Sequence, residues 1–348
     1  MNLKTQFVFL FTILLVLTAC EKDENPTDTS LVKSGVFCAN QGKFPDGNGS
    51  VSWLTNDQLK SADLFEERNP GLRLGNTVQS IYFNANQYFI AVNNAKNITI
   101  TDESFKLIKT LELQSLPRYF VAWGNKTIVS SWGINGAQGE INVINENNTV
   151  EMTVKFNGAP EKMLVHNNRL WVTLSNGFSV DSILVQFSLP DFTMLTYQTL
   201  AKGPNSMVMD ASNNLYVLCE GHFDWLTGQS YEGALFKWLE NGSSVKLFNL
   251  PQGCVNLCLD KSLNTLYFND YAAVYKFKIG DNNFEKLKLT TEPSSIYGLA
   301  IDEPNKILYF TDPKDFASQG SLISFNLDSG ASRSYPVGVA PGQIFIRN

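Results

Sequence analysis

The stretch "ILYFTDP", Ile307 to Pro313, settles the fold once its copies are aligned. A turn residue, an aliphatic, an aromatic and a short β run return in the same order in "TLYFNDY" (265–271), "NLYVLCE" (214–220) and "RLWVTLS" (169–175). The aromatic positions are Trp171, Tyr216, Tyr267 and Tyr309. Weaker copies precede them in "QYFIAVN" around Phe89 and "KTIVSSW" around Ile128. Before each copy lies another apolar strand introduced by Pro, Gly or Ser, as in "LPRYFVAW", "APEKMLVH" and "GPNSMVMD". After each come two more alternating strands, such as "GALFKWLE" and "SSVKLFNL".

Four short strands about every 40–50 residues, with no helical periodicity, are the mark of a β-propeller. One such blade has two apolar faces and cannot bury both alone; a ring of blades buries each face on its neighbour. The last segment, "VAPGQIFIRN", reads as an innermost strand with no blade after it. The first folded segment, "GVFCANQ", "SVSWLT" and "ADLFEE", reads as a blade that lacks one. The expectation is therefore an all-β, seven-bladed β-propeller over residues 35–348, its ring closed by the C-terminal strand joining the N-terminal blade.

The front of the chain reads differently. Lys4 followed by the apolar run Phe7 to Leu17 suits an export signal over residues 1–19 and is shorter than the roughly 20 residues of a spanning helix. Leu17-Thr18-Ala19-Cys20 resembles the lipobox of bacterial lipoproteins, in which the cysteine is lipidated and becomes the mature terminus. Lys22-Asp23-Glu24 resembles the surface-export signal of Bacteroidota lipoproteins. Residues 20–34 then form a lipidated, flexible tether, and the expected address is the outer membrane, facing the exterior.

The chain of 348 residues is 43% hydrophobic and 17% charged, with a formal net charge of -6. It has no basic run, so nucleic acid is not an expected partner. Cys254 and Cys258 are too far apart along one strand, roughly 13 Å, to bridge each other. Apart from Cys20, the cysteines Cys38, Cys219, Cys254 and Cys258 read as small buried hydrophobes. Asp210, Asp260 and Asp302 recur at the end of the first strand of their repeats, where each suits the cap of its own hairpin.

Candidate site residues fall on the loops between second and third strands, which converge on one face. They carry Phe44, Lys96, Trp132 with Asn135, Phe178, Phe223 with Trp225, Tyr271 and Phe316. The starts of the innermost strands add Arg118, Tyr119, Glu161, Lys162, Asn205, Gln252 and Gln343. Exposed aromatics on one rim suit a large, flat, partly apolar ligand with polar edges. Catalysis finds no support in this reading: neither a metal-ligand spacing, a phosphate loop nor a nucleophile elbow is present. Glu220, Asp224, Asp270, Asp312 and Asp315 read as solvated loop carboxylates, although a metal or an acid–base pair could be built from them.

The "NLYV" and "ILYF" repeats resemble the YncE-like or YVTN-type seven-bladed propellers. The lipobox, the Lys22-Asp23-Glu24 signal, the blade number and the aromatic rim resemble the BtuG-like surface cobamide-binding lipoproteins of gut Bacteroidota. That resemblance implies capture of cobalamin (vitamin B12) or related corrinoids and transfer to a BtuB-like TonB-dependent outer-membrane transporter. No cofactor would be required, and the mechanism would be binding without chemistry. Of these sixteen rim and strand-start residues, all but Glu161, Lys162 and Asn205 would then contact the ligand, with Lys96, Arg118, Asn135, Gln252 and Gln343 meeting its amides and phosphate. Two rivals remain: a glycan- or protein-binding surface propeller, and a metal-dependent, lactonase-like hydrolase.

Overall fold

A computed structural model describes residues 30–134, 136, 138–174, 181–239 and 242–348. The expected export signal, Cys20, Asn135 and Phe178 lie outside the described residues. Seven four-stranded antiparallel sheets follow one another along the chain, and a two-stranded hairpin, His222–Asp224 with Gln229–Tyr231, projects from the fifth. The seven-bladed propeller is thus the fold. In the first blade the innermost strand is the last of the chain, Pro341–Arg347. It pairs with Gly35–Asn40 in the register Val36↔Ile346, Phe37↔Phe345 and Cys38↔Ile344.

The repeat that opened the sequence reading has a physical basis in these sheets. Each second strand lies between two neighbouring blades, and its successive side chains point to opposite faces. Leu215 and Val217 join Trp171 and Met207 in the cluster between the fourth and fifth blades. Tyr216 and Leu218 turn the other way, to Leu257, Leu266 and Phe268 of the sixth blade. The same division places Tyr267 against the seventh blade, and Tyr309 against Val36, Cys38 and Leu54 of the first. The aromatic of each repeat therefore always faces the next blade. Among the described residues, seven apolar clusters correspond to the seven blade interfaces.

Asp210, Asp260 and Asp302 cap their hairpins. Asp210 Oδ1 accepts from the N–H groups of Ser212 at 2.9 Å and Asn214 at 2.8 Å. Asp260 Oδ1 accepts from Leu263 N at 2.9 Å, and Asp302 Oδ1 from Asn305 N at 3.3 Å. Cys38, Cys219, Cys254 and Cys258 are all free thiols.

Two local expectations are corrected. "ADLFEE" is not a strand: the outer strand of the first blade is Gln58–Ser61, and Leu64–Arg68 is a one-turn helix capped by Asp63, whose Oδ1 accepts from Glu66 N at 3.2 Å. An N-cap Asp three residues before Glu favours that turn over an extended strand. The packed chain also starts before residue 35. Val32 is fully buried, its N–H reaches Glu103 O at 2.6 Å, and its carbonyl accepts from Arg347 Nη1 at 2.9 Å.

Candidate functional site

The innermost strands start at the face that carries the long loops, and six of the seven starts hold one more residue than the strand paired to them. The register skips between Val78 and Ser80, Pro117 and Phe120, Pro160 and Met163, Pro204 and Ser206, and Val255 and Cys258. In the first blade it skips opposite Gly342 and Gln343. A β-bulge interrupts strict alternation, so adjacent side chains can be aimed to the same side. The bulged residues Gln79, Arg118, Tyr119, Glu161, Lys162, Asn205, Asn256 and Gln343 accordingly all line one axial cavity of about 690 Å³. Trp132, Glu220, Tyr271 and Tyr297 complete its polar wall.

A network centred on Arg118 organises one side of this funnel. Its Nη2 lies 2.6 Å from Glu161 Oε1 and its Nε donates to Glu161 Oε2 at 3.1 Å. Nη1 donates to Gln79 Oε1 at 2.6 Å, and Gln79 Nε2 in turn donates to Tyr119 OH at 2.9 Å. The guanidinium also sits 3.8 Å from the centre of the Trp132 ring, a cation–π contact. Burial alone would lower the Arg118 pKa, but the charge of Glu161 reverses that and holds it above its ordinary value. Lys162 Nζ lies 3.5 Å from the centre of the Tyr119 ring. Burial brings Lys162 down to about 8, although Glu161 opposes the shift. Glu220 is pushed up to about 7, first by burial and then by the charge of Glu161. One cavity therefore holds two titratable groups, Lys162 and Glu220, whose proton affinities burial draws toward neutrality.

The structure separates the expected site residues into groups. Arg118, Tyr119, Trp132, Tyr271 and Gln343 line the funnel. Phe316 stands one ring away, packed edge-on against Tyr297 at 5.2 Å. Phe223 and Trp225 pack on each other at 4.6 Å on the projecting hairpin. Phe44, Lys96 and Gln252 belong to turns outside the cavity wall. Phe44 and Trp225 are 69% and 87% exposed, which leaves their rings available to a ligand that overhangs the rim. Gln79, Asn256 and Tyr297 are lining residues beyond the expected set. Asn256 has φ 59°, and Gln79 sits in an ordinary-looking strand, so only the bulges reveal them.

The other loop acids are committed to their own turns. Asp270 accepts from Ala272 N, Ala273 N and Tyr275 OH at 2.7–2.8 Å, and Asp312 from Ser294 N and Oγ at 2.9 and 2.6 Å. Among the described residues no three His, Cys, Asp or Glu side chains gather to hold a metal ion.

Residues 34–303 match a family model described as "Domain of unknown function (DUF5074)", and the chain belongs to that family. No curated protein matches it by sequence. Among solved structures, the periplasmic gluconolactonase of Pseudomonas aeruginosa superposes with a TM-score of 0.67 at 12% identity, covering 90% of this chain and 99% of that one. A candidate 6-phosphogluconolactonase of Bacteroides fragilis gives 0.65 at 12% identity, covering 94% and 100%. The virginiamycin B lyase of Staphylococcus aureus gives 0.56 at 15% identity, covering 77% and 90%. These likenesses establish the shared fold. They also correct the expectation of a protein that performs no chemistry: enzymes are among the propellers it superposes on, so the exclusion of catalysis is withdrawn.

Proposed function

We propose that this DUF5074 chain takes a polar, anionic small molecule into the axial funnel, and that its ligand class is the corrinoids. The observation that carries the reading is the lining of that funnel. Side-chain amides of Gln41, Gln79, Asn205, Asn256 and Gln343 face the same space as Lys162 and Arg118, below a rim of exposed aromatics. A corrinoid offers peripheral amides, a phosphodiester and a broad, partly apolar macrocycle, which complement amides, cations and rings respectively. Pre-formed blade bulges hold the polar groups in place before binding, which lowers the ordering cost of association.

The proposed setting follows from the front of the chain: lipid at Cys20, the outer surface of the outer membrane, and transfer of the ligand to a TonB-dependent transporter. Val32 is stitched to Arg347, the end of an innermost strand, so the first described residues lie at the face opposite the funnel. The test is equilibrium dialysis of the unlipidated chain, residues 21–348, against cyanocobalamin. Retention of one equivalent supports the reading, and a chain that retains none removes the corrinoid from it.

A second reading, hydrolysis of a sugar lactone, is favoured by the presence of Glu220 and Lys162 in the lining of one cavity. Ionised Glu220 would take a proton from water attacking the lactone carbonyl, protonated Lys162 would stabilise the oxyanion that forms, and collapse of that adduct would break the ring C–O bond as Glu220 returns the proton to the leaving oxygen. Hydrolysis of gluconolactone above its spontaneous rate, lost in Glu220→Gln, is the expected signature. A rate equal to the protein-free control would rule it out.

A further inference from the structure

Two cations face the funnel, and they are not equivalent. Arg118 is spoken for: all three of its guanidinium nitrogens donate to Glu161 or Gln79, and one of its faces is covered by Trp132. Its charge is offset within the wall. Lys162 has no carboxylate within ion-pair distance among the described residues, and its ammonium rests on the face of Tyr119 with the cavity before it. An aromatic face stabilises an ammonium without neutralising it, which leaves the full charge for an incoming group.

We infer that Lys162 is the anion anchor of the funnel, seating a phosphate or carboxylate group of the ligand, while Arg118 is a positioning residue that holds the wall. The inference rests on the small-molecule reading above and names the residue and the ligand group that fix its orientation. Tyr119 supplies the platform, and the Gln79 amide fixes its hydroxyl. Glu161, bound two-pronged by Arg118, is kept from collapsing onto the neighbouring lysine. A compact ammonium suits a single oxyanion as a point charge, whereas the forked arginine suits the carboxylate it already holds. Glu220 and the phenols of Tyr271 and Tyr297 face the same space, and protonation of Glu220 removes a negative charge from among the described lining residues.

The test uses the wild-type chain and inorganic phosphate as the probe. Lysines are acetylated with a limiting reagent and read by peptide mass spectrometry, with chloride at matched ionic strength as the reference. Phosphate at about ten times its dissociation constant should slow labelling of Lys162 about ten-fold. Lys155, exposed on an outer strand, should be unaffected. Equal labelling of Lys162 with and without phosphate overturns the inference.

Two further ligands identify the source of the anion. Protection by cyanocobalamin but not by dicyanocobinamide, which lacks the phosphodiester, assigns the site to a corrinoid phosphate; protection by 6-phosphogluconate alone assigns it to a sugar acid or its phosphate. Protection by inorganic phosphate without any corrinoid binding keeps the anchor and discards the corrinoid. Corrinoid binding that is equally tight in Lys162→Met, with no protection by phosphate, discards the anchor and keeps the corrinoid. Lys162→Arg should retain more of the affinity for inorganic phosphate than Lys162→Met, read by titration calorimetry.

Discussion

Arg118 and Glu161 meet across the boundary between the third and fourth blades in a two-pronged ion pair, with contacts of 2.6 and 3.1 Å. Both side chains come from bulges at the starts of innermost strands, and both are largely withdrawn from solvent, at 13% and 10% exposure. The pair ties the third and fourth blades together at the funnel wall. It also decides which cation of the funnel remains available.

Breaking that pair on one side leaves a poorly solvated charge. Glu161→Gln should destabilise the fold by about 2–4 kcal/mol, near the range for a severed buried pair. Arg118→Met combined with Glu161→Gln should cost less than the two single changes added together, because the second change removes the stranded partner. Urea unfolding of the three variants measures this, and strict additivity would mean that the pair is not coupled.

Glu220 gives a pH signature with a defined sign. Its folded pKa, about 7, lies above the ordinary 4.5, so the folded chain holds a proton that the unfolded chain has released. Its stabilising share is complete below about pH 4.5 and is lost as pH rises to about 7. Lys162 acts at the other end: its folded pKa of about 8 lies below 10.5, so stability recovers as pH rises through that interval. Glu220→Gln should flatten the first slope and Lys162→Met the second, in unfolding measured across pH 4–10.

The rim separates stability from binding. Trp225, at the tip of the projecting hairpin, touches Phe223 and little else that is buried. Trp225→Ala should alter stability by no more than about 0.5 kcal/mol. Its cyanocobalamin affinity should fall about ten-fold, roughly 1.4 kcal/mol. An affinity equal to that of wild type would remove the hairpin from the site.

In the interior the reverse holds. Leu218 is fully buried between the fifth and sixth blades, and Leu218→Ala should cost about 2–5 kcal/mol through lost burial and a residual cavity. Calorimetric melting should register it as a single shifted transition, since all blades share one closed ring. A separate early transition would show that the blades unfold independently.

How much of this was legible in the sequence divides along physical lines. The aliphatic–aromatic–aliphatic order around Tyr216, Tyr267 and Tyr309 survives in the sequence because each second strand must serve two blade interfaces at once. Ring closure was readable too, since "GQIFIRN" had no partner except the incomplete first blade. The loop face was readable as a rim but not as a funnel. Alternation predicts that Arg118 and Tyr119, or Glu161 and Lys162, point to opposite sides, and the bulges that set them together leave no signature in residue type. For the same reason Gln79 read as an ordinary strand residue, while Phe44 and Trp225, conspicuous in sequence, stand outside the cavity wall. "ADLFEE" misled because its apolar residues fit either period, and the Asp63 cap decided for a helical turn.

The most direct test of the central claim is a crystal structure of the mature chain grown with cyanocobalamin. The expected result is ligand density in the axial funnel, with the phosphodiester within hydrogen-bond distance of Lys162 Nζ and the macrocycle against Trp132 and the rim. Density confined to the opposite face around Arg347, or an empty funnel at saturating ligand, would contradict it.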